Sequence, residues 1–88
     1  MYLSAAQRPI AGQLNLILKK LADSTLPPSE AEAEAHEALL AAGFSSVDYA
    51  VLRDAANLGA IDETTTQRRA LITARLGDVR LLDNMKAR

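Results

Sequence analysis

The stretch Ala70 to Met85 reads ALITARL-GD-VRLLDNM, two runs of strand-forming residues on either side of Gly77-Asp78. Glycine at the first position of a two-residue loop, followed by almost any residue, specifies a type II′ hairpin turn. The loop length then sets the register. Leu76 faces Val79, Ala74 faces Leu81, Ile72 faces Asp83 and Ala70 faces Met85, which makes one mostly apolar face. The opposite face pairs Arg75 with Arg80, Thr73 with Leu82 and Leu71 with Asn84.

A two-stranded hairpin is barely stable alone, and the segment upstream supplies a further strand. Ser46-Val47-Asp48-Tyr49-Ala50-Val51-Leu52-Arg53 is rich in β-branched and aromatic residues, with Val47, Tyr49 and Val51 expected on one face. Asp54 to Gly59 reads as a turn or a single helical turn. Residues Asp62 to Arg68, DETTTQR, lack an apolar anchor and are expected to form a mobile loop or a frayed strand entry.

Further upstream the period changes from two to that of a helix. Ile10, Leu14, Ile17, Leu18 and Leu21 form one apolar stripe. Ser4 and Gln7 have capping-box spacing, but Pro9 would then sit inside the helix, so a turn is expected over Ser4 to Arg8 and a helix that begins or bends at Pro9. Leu26-Pro27-Pro28 is expected to end it. A second helix opens on a Ser29/Glu32 capping box and runs to Ala42. There Gly43 takes the left-handed position and Phe44 reaches back onto Leu39. Its stripe of Ala31, Ala35, Ala38, Leu39 and Ala42 buries little area per residue, so specific packing is expected from Leu39, Leu40 and Phe44. The fold class is α+β, with two N-terminal helices packed on a small three-stranded antiparallel sheet that ends in the hairpin.

The chain has 88 residues, 49% hydrophobic and 24% charged, a composition that folds rather than stays disordered. A domain of this size hides only roughly 60% of its surface, so its core is thin and a partner or self-association is expected to contribute. There are no cysteines and one histidine, which excludes disulfide scaffolds, thiolate zinc sites and multi-histidine metal centres. A net charge of -1 supplies no field towards nucleic acid or an anionic membrane. Apolar runs fall far short of the ~20 residues of a membrane span, and no leader pattern is evident, so a cytoplasmic setting is expected.

The chemistry-bearing residues are sparse. His36 has only carboxylates near it in sequence, Glu32 and Glu37, and reads as an exposed helical histidine rather than a general base. Glu30, Glu32, Glu34 and Glu37 spread around a helix and read as a solvated face. The same four glutamates, without a lysine or arginine between Ser29 and Ala42, argue against a DNA-reading second helix. Arg75 and Arg80 carry more information. Like charges directly across a hairpin repel unless an anion or carboxylate lies between them. Asp48, Asp54 and Asp83 are the internal candidates, and a phosphate or an acidic partner the external ones. Arg68-Arg69 reads as a solvated strand entry. No phosphate loop, nucleophile elbow or RNA-binding aromatic strand is present, and no catalytic, cofactor-binding or metal residue is assigned.

The run RRALITARLGDVRLLDN from Arg68 to Asn84, with AGFSSVDYAVLRDA from Ala42 to Ala55, resembles the C-terminal domain of the pantothenate synthetase (pantoate–beta-alanine ligase) family. Tyr2-Leu3-Ser4 with Gln7-Arg8 is similar to the family's Y-L-S-x-x-Q-R stretch, just beyond its K-M-S-S-R-N phosphate-binding signature. The resemblance spans residues 1–88 as a single domain. It implies part of a cytoplasmic ligase of the coenzyme A precursor pathway, which uses ATP and magnesium to activate (R)-pantoate as pantoyl adenylate before beta-alanine attacks. It further implies a lid over an N-terminal Rossmann-like catalytic domain that is absent here. That missing domain is the expected partner, and the isolated chain is expected to be inactive. A small protein–protein interaction module is the alternative.

Overall fold

The computed structural model describes residues 3–88, so Tyr2 of the family-like stretch lies outside the described residues. Two helices, α1 (Gln7–Asp23) and α2 (Pro28–Ala42), precede three strands, β1 (Ser46–Asp54), β2 (Arg68–Leu76) and β3 (Val79–Ala87). The strands form one antiparallel sheet in the order β1-β2-β3, and both helices lie on one side of it. The expected α+β architecture is the one observed.

Helix α1 begins earlier than the proline rule predicts. The capping box excluded on account of Pro9 is in fact made: the Ser4 amide donates to Gln7 Oε1 at 2.9 Å and the Gln7 amide to Ser4 Oγ at 3.2 Å. Pro9 is the third residue of α1 and does not break it, because amides in the first turn have no helical acceptor to lose. The predicted stripe packs inward, with Leu14, Leu18 and Leu21 buried and Ile10 and Ile17 partly so. The helix ends at Asp23, before Leu26-Pro27-Pro28 is reached. Ser24 stops it by leaving the helical region, at ψ 140°, and its Oγ accepts the Leu26 amide at 3.1 Å.

Helix α2 also starts differently. The Ser29/Glu32 capping box is not formed, and Pro28 sits in the first turn after Pro27, where its fixed φ suits helix entry. Glu32 is engaged elsewhere, as described below. The C-terminus matches expectation. Gly43 has φ 115°, its amide donates to the Leu40 carbonyl, and the Phe44 amide donates to the Leu39 carbonyl at 3.2 Å, the paired bonds of a Schellman cap. Ala31, Ala35, Leu39 and Phe44 are buried as predicted, but Leu40 is 46% exposed and packs nothing into the core.

The hairpin register is the predicted one, from Leu76 opposite Val79 to Ala70 opposite Met85. Gly77 has φ +56°, and no positive φ occurs at Asp78, the combination that a type II′ turn requires. Strand β1 departs from expectation. A bulge between Val47 and Tyr49 leaves Asp48 unpaired, and an extra residue reverses the alternation that follows it. Val47 therefore packs with the core, and beyond the bulge Ala50 and Leu52 are buried while Tyr49 and Val51 turn to the other face. Against the helices the sheet presents Ala50, Leu52, Ala70, Ile72, Ala74 and Leu76, all buried.

Candidate functional site

The bulge decides the electrostatics of the outer face. As the extra residue, Asp48 is freed from the ladder and turned towards the two arginines that face each other across the hairpin. Arg75 Nε donates to Asp48 Oδ1 at 3.2 Å and Arg80 Nε to Asp48 Oδ2 at 2.9 Å. The hydrogen bond from Arg75 is the main influence holding the Asp48 carboxyl below its ordinary range, with that from Arg80 and both charges adding to it. Of the three aspartates that could separate Arg75 from Arg80, only Asp48 does so. Asp54 accepts the Ala56 amide and the Thr65 hydroxyl, and Asp83 accepts Asn15 Nδ2 and the Asn84 amide. One carboxylate between two guanidiniums leaves a residual positive charge on side chains about half exposed, at 52% each. Such a group can contact an acidic surface.

The same end of the molecule gathers the α1 capping box, the Schellman cap and the hairpin turn. Ser45, just after the Schellman cap, donates its hydroxyl to the Arg75 carbonyl at 3.1 Å and accepts the Gly77 amide at 2.8 Å. The α2–β1 connection thereby clamps the hairpin tip. Gln7 of the capping box lies against the same tip, its Nε2 3.3 Å from where a Cβ on Gly77 would stand. The start of α1, the end of α2 and the β2–β3 turn thus form one corner beside the Asp48 cluster. The sequence carried no signal for Ser45, since its two partners are thirty or more positions away.

The remaining candidate residues do not converge. His36 is exposed on α2. Glu34 meets Lys20 of α1 at 3.4 Å. Glu32 accepts the Leu52 amide at 2.8 Å and approaches Arg53 Nη1 at 3.4 Å, so a helix side chain satisfies a backbone donor on the open edge of β1. Arg69 is half-buried, not a solvated strand entry, and donates to Asn84 Oδ1 at 2.7 Å. In the DETTTQR loop, Asp62 Oδ1 accepts the Thr64 amide and hydroxyl, and the hydroxyl is the leading cause of that carboxyl's lowered pKa. Thr65 ties the loop to Asp54 at 3.0 Å. Among the described residues no three metal-ligating side chains of His, Cys, Asp or Glu come together, and no helix is long and apolar enough to cross a membrane.

These features define a small α+β domain with a charged, clamped corner. The family described as Pantoate-beta-alanine ligase matches residues 1–86. A pantothenate synthetase of Xanthomonas euvesicatoria pv. vesicatoria (strain 85-10) is 44% identical over 90 residues, covering 97% of this chain and 31% of its own length. That of Maricaulis maris (strain MCS10) is 43% identical over 91 residues, covering 98% and 31%. The chain belongs to the pantoate–beta-alanine ligase family. It spans about a third of the length of the curated relatives it matches.

Proposed function

We propose that the chain is the C-terminal, lid-like domain of a cytoplasmic, ATP-dependent ligase that joins (R)-pantoate and beta-alanine. In that reaction pantoate displaces pyrophosphate from ATP to give pantoyl adenylate, and the beta-alanine amine then displaces AMP to leave pantothenate. The observation that carries the reading is the match over nearly the whole chain to about a third of each relative. The geometry agrees with an accessory role. A lid works by excluding water from a reactive acyl adenylate and by completing the walls of the site, for which it needs rigidity and surface rather than an assembled catalytic set. The clamped corner provides rigidity at the end of the domain where the Leu3-Ser4 stretch enters α1, the stretch that follows the phosphate-binding signature in the family resembled.

The residues present do not fit a magnesium site. Asp48 is already shared between two arginines, and the described carboxylates do not cluster. Magnesium is therefore assigned to the remainder of the ligase. Purified chain given ATP, magnesium, pantoate and beta-alanine is expected to form no pantothenate and to catalyse no pantoate-dependent exchange of pyrophosphate into ATP. Joined to the remainder of the Xanthomonas euvesicatoria enzyme, in place of that enzyme's aligned segment, it is expected to support synthesis. Turnover by the isolated chain that vanishes on mutating it overturns the assigned inactivity, and a folded but inert chimaera overturns the ligase reading.

A further inference from the structure

The sheet has two faces and the helices cover only one. On the other, register places Tyr49, Thr73 and Leu82 side by side across β1, β2 and β3, with Val51 and Leu71 adjacent. Tyr49 is 40% and Leu82 65% exposed. Tyr49, Val51, Leu58 and Leu71, with Arg53, line a groove of ≈ 270 Å³. Leu58 reaches the groove from a backbone at φ 59°, a left-handed conformation that glycine or asparagine adopts far more cheaply than leucine. At the centre, Thr73 is fully buried and its hydroxyl has no hydrogen-bond partner among the described residues. The whole chain exposes 5566 Å², against roughly 5,000 Å² for a monomer of this mass.

Charge surrounds this apolar centre. Arg53, Arg69, Arg75 and Arg80 stand on the same face, with Asp48 as its one carboxylate and Glu32 meeting Arg53 from α2. An apolar centre with tyrosine, ringed by arginine, is the anatomy of a docking surface. Its excess positive charge calls for carboxylates on the occupant.

Size and charge select among occupants. Three strands of nine residues, spaced ~4.8 Å apart, have a flat footprint of roughly 400 Å², small for a stable free interface, which buries ~800 Å² of accessible surface per partner. A second copy would oppose one arginine rim to another. A partner on the same polypeptide needs less area, since the link makes docking intramolecular at a millimolar effective concentration. The relatives carry about two thirds of their length outside the region matched here. We infer that the outer sheet face docks against the remainder of the ligase polypeptide, on an apolar patch bordered by carboxylates. The inference rests on the ligase reading above and adds to it which face of the domain is turned inward.

Hydroxyl-radical footprinting read by mass spectrometry tests it on the isolated chain and on the chimaera with the Xanthomonas euvesicatoria remainder. Oxidation of Tyr49, Leu58 and Leu82 is expected to fall several-fold in the chimaera, while Leu16 and Leu40, exposed on the helices, react equally in both. Leu82→Glu is expected to restore the reactivity of Tyr49 and Leu58 in the chimaera and to leave the isolated chain's urea midpoint unchanged. Undiminished oxidation of Tyr49 and Leu82 in the chimaera overturns the inference, as does protection that grows with concentration, which marks a second copy. Pantothenate synthesis is scored on the same sample. An active chimaera with a reactive outer face sinks the docking and spares the ligase reading, whereas an inert chimaera with a protected face does the reverse.

Discussion

Strand β2 carries both faces of the sheet in alternate residues, and the two are built from different side chains. Towards the helices it presents Ala70, Ile72 and Ala74, each fully buried, and away from them Leu71, Thr73 and Arg75. Large apolar groups occur on both sides, Leu52, Ile72 and Leu76 towards the helices and Tyr49 and Leu82 away from them. The helix side interleaves them with alanines, whereas the outer side interleaves them with Arg69, Arg75 and Arg80. Alanines on the sheet let Leu14, Leu18 and Leu39 enter from the helices, and Ala31 and Ala35 let α2 approach. The core interlocks leucines from one layer with alanines from the other.

The largest effect that could break this contrast is Ile72→Ala. Ile72 is fully buried at the centre of the inner face, so truncation should cost about 2–5 kcal/mol, whereas Leu82→Ala on the outer face should stay within about 0.5 kcal/mol. Equal shifts in urea midpoint would show that both faces are packed alike. Next in size is the turn that holds the faces in register. Gly77→Val puts a β-branched residue at φ +56° and its Cβ 3.3 Å from Gln7 Nε2, with an expected loss of about 1–3 kcal/mol. Asp78→Ala should melt with the parent. Coincident thermal midpoints for all three proteins would remove the turn from the account.

Thr73→Val sharpens the contrast from the outer side. Its hydroxyl is buried without a partner, so replacing it with a methyl group should raise stability by about 1 kcal/mol. A lower melting temperature would reveal a hydrogen bond that this account omits. The smallest effect concerns Asp48. Its pKa is lowered in the fold, so its contribution is complete above the unfolded value and is lost as pH falls through the folded one. Asp48→Asn should be less stable than the parent at neutral pH, where Arg75 and Arg80 are left facing each other, and the gap should close below about pH 4. A gap that is constant from neutral to acid pH would show that the carboxylate's charge does nothing there.

Several parts of this arrangement were legible before the structure. The Gly77-Asp78 turn sets its own register because two loop residues leave a single way to pair what flanks them. The Gly43 cap is local in the same sense, its bonds reaching three to five residues back. Errors arose where a local rule met a distant competitor. Glu32 had the spacing to cap its own helix, yet it serves the part-buried Leu52 amide at a strand edge twenty residues on. The face expected to join Val47, Tyr49 and Val51 was split by an unpaired Asp48, and a bulge of one residue leaves no periodic trace in a run this short. Its use, separating Arg75 from Arg80, was legible as a need without an address, since three aspartates could have met it.

What the sequence by itself determined is therefore the elements with short-range causes: the helical stripe of α1, the cap of α2, the hairpin and its register, and the kinship carried by the Arg68 to Asn84 run. Only the tertiary structure decided where the bulge falls, which residues of β1 join the hairpin's apolar face and which carboxylate neutralises the arginines. The physical reason is that alternation within one strand distinguishes two faces without saying which of them continues the face of its neighbour. One unpaired residue reverses that match, and at the bulge it is settled by pairing with residues of β2 more than twenty positions away.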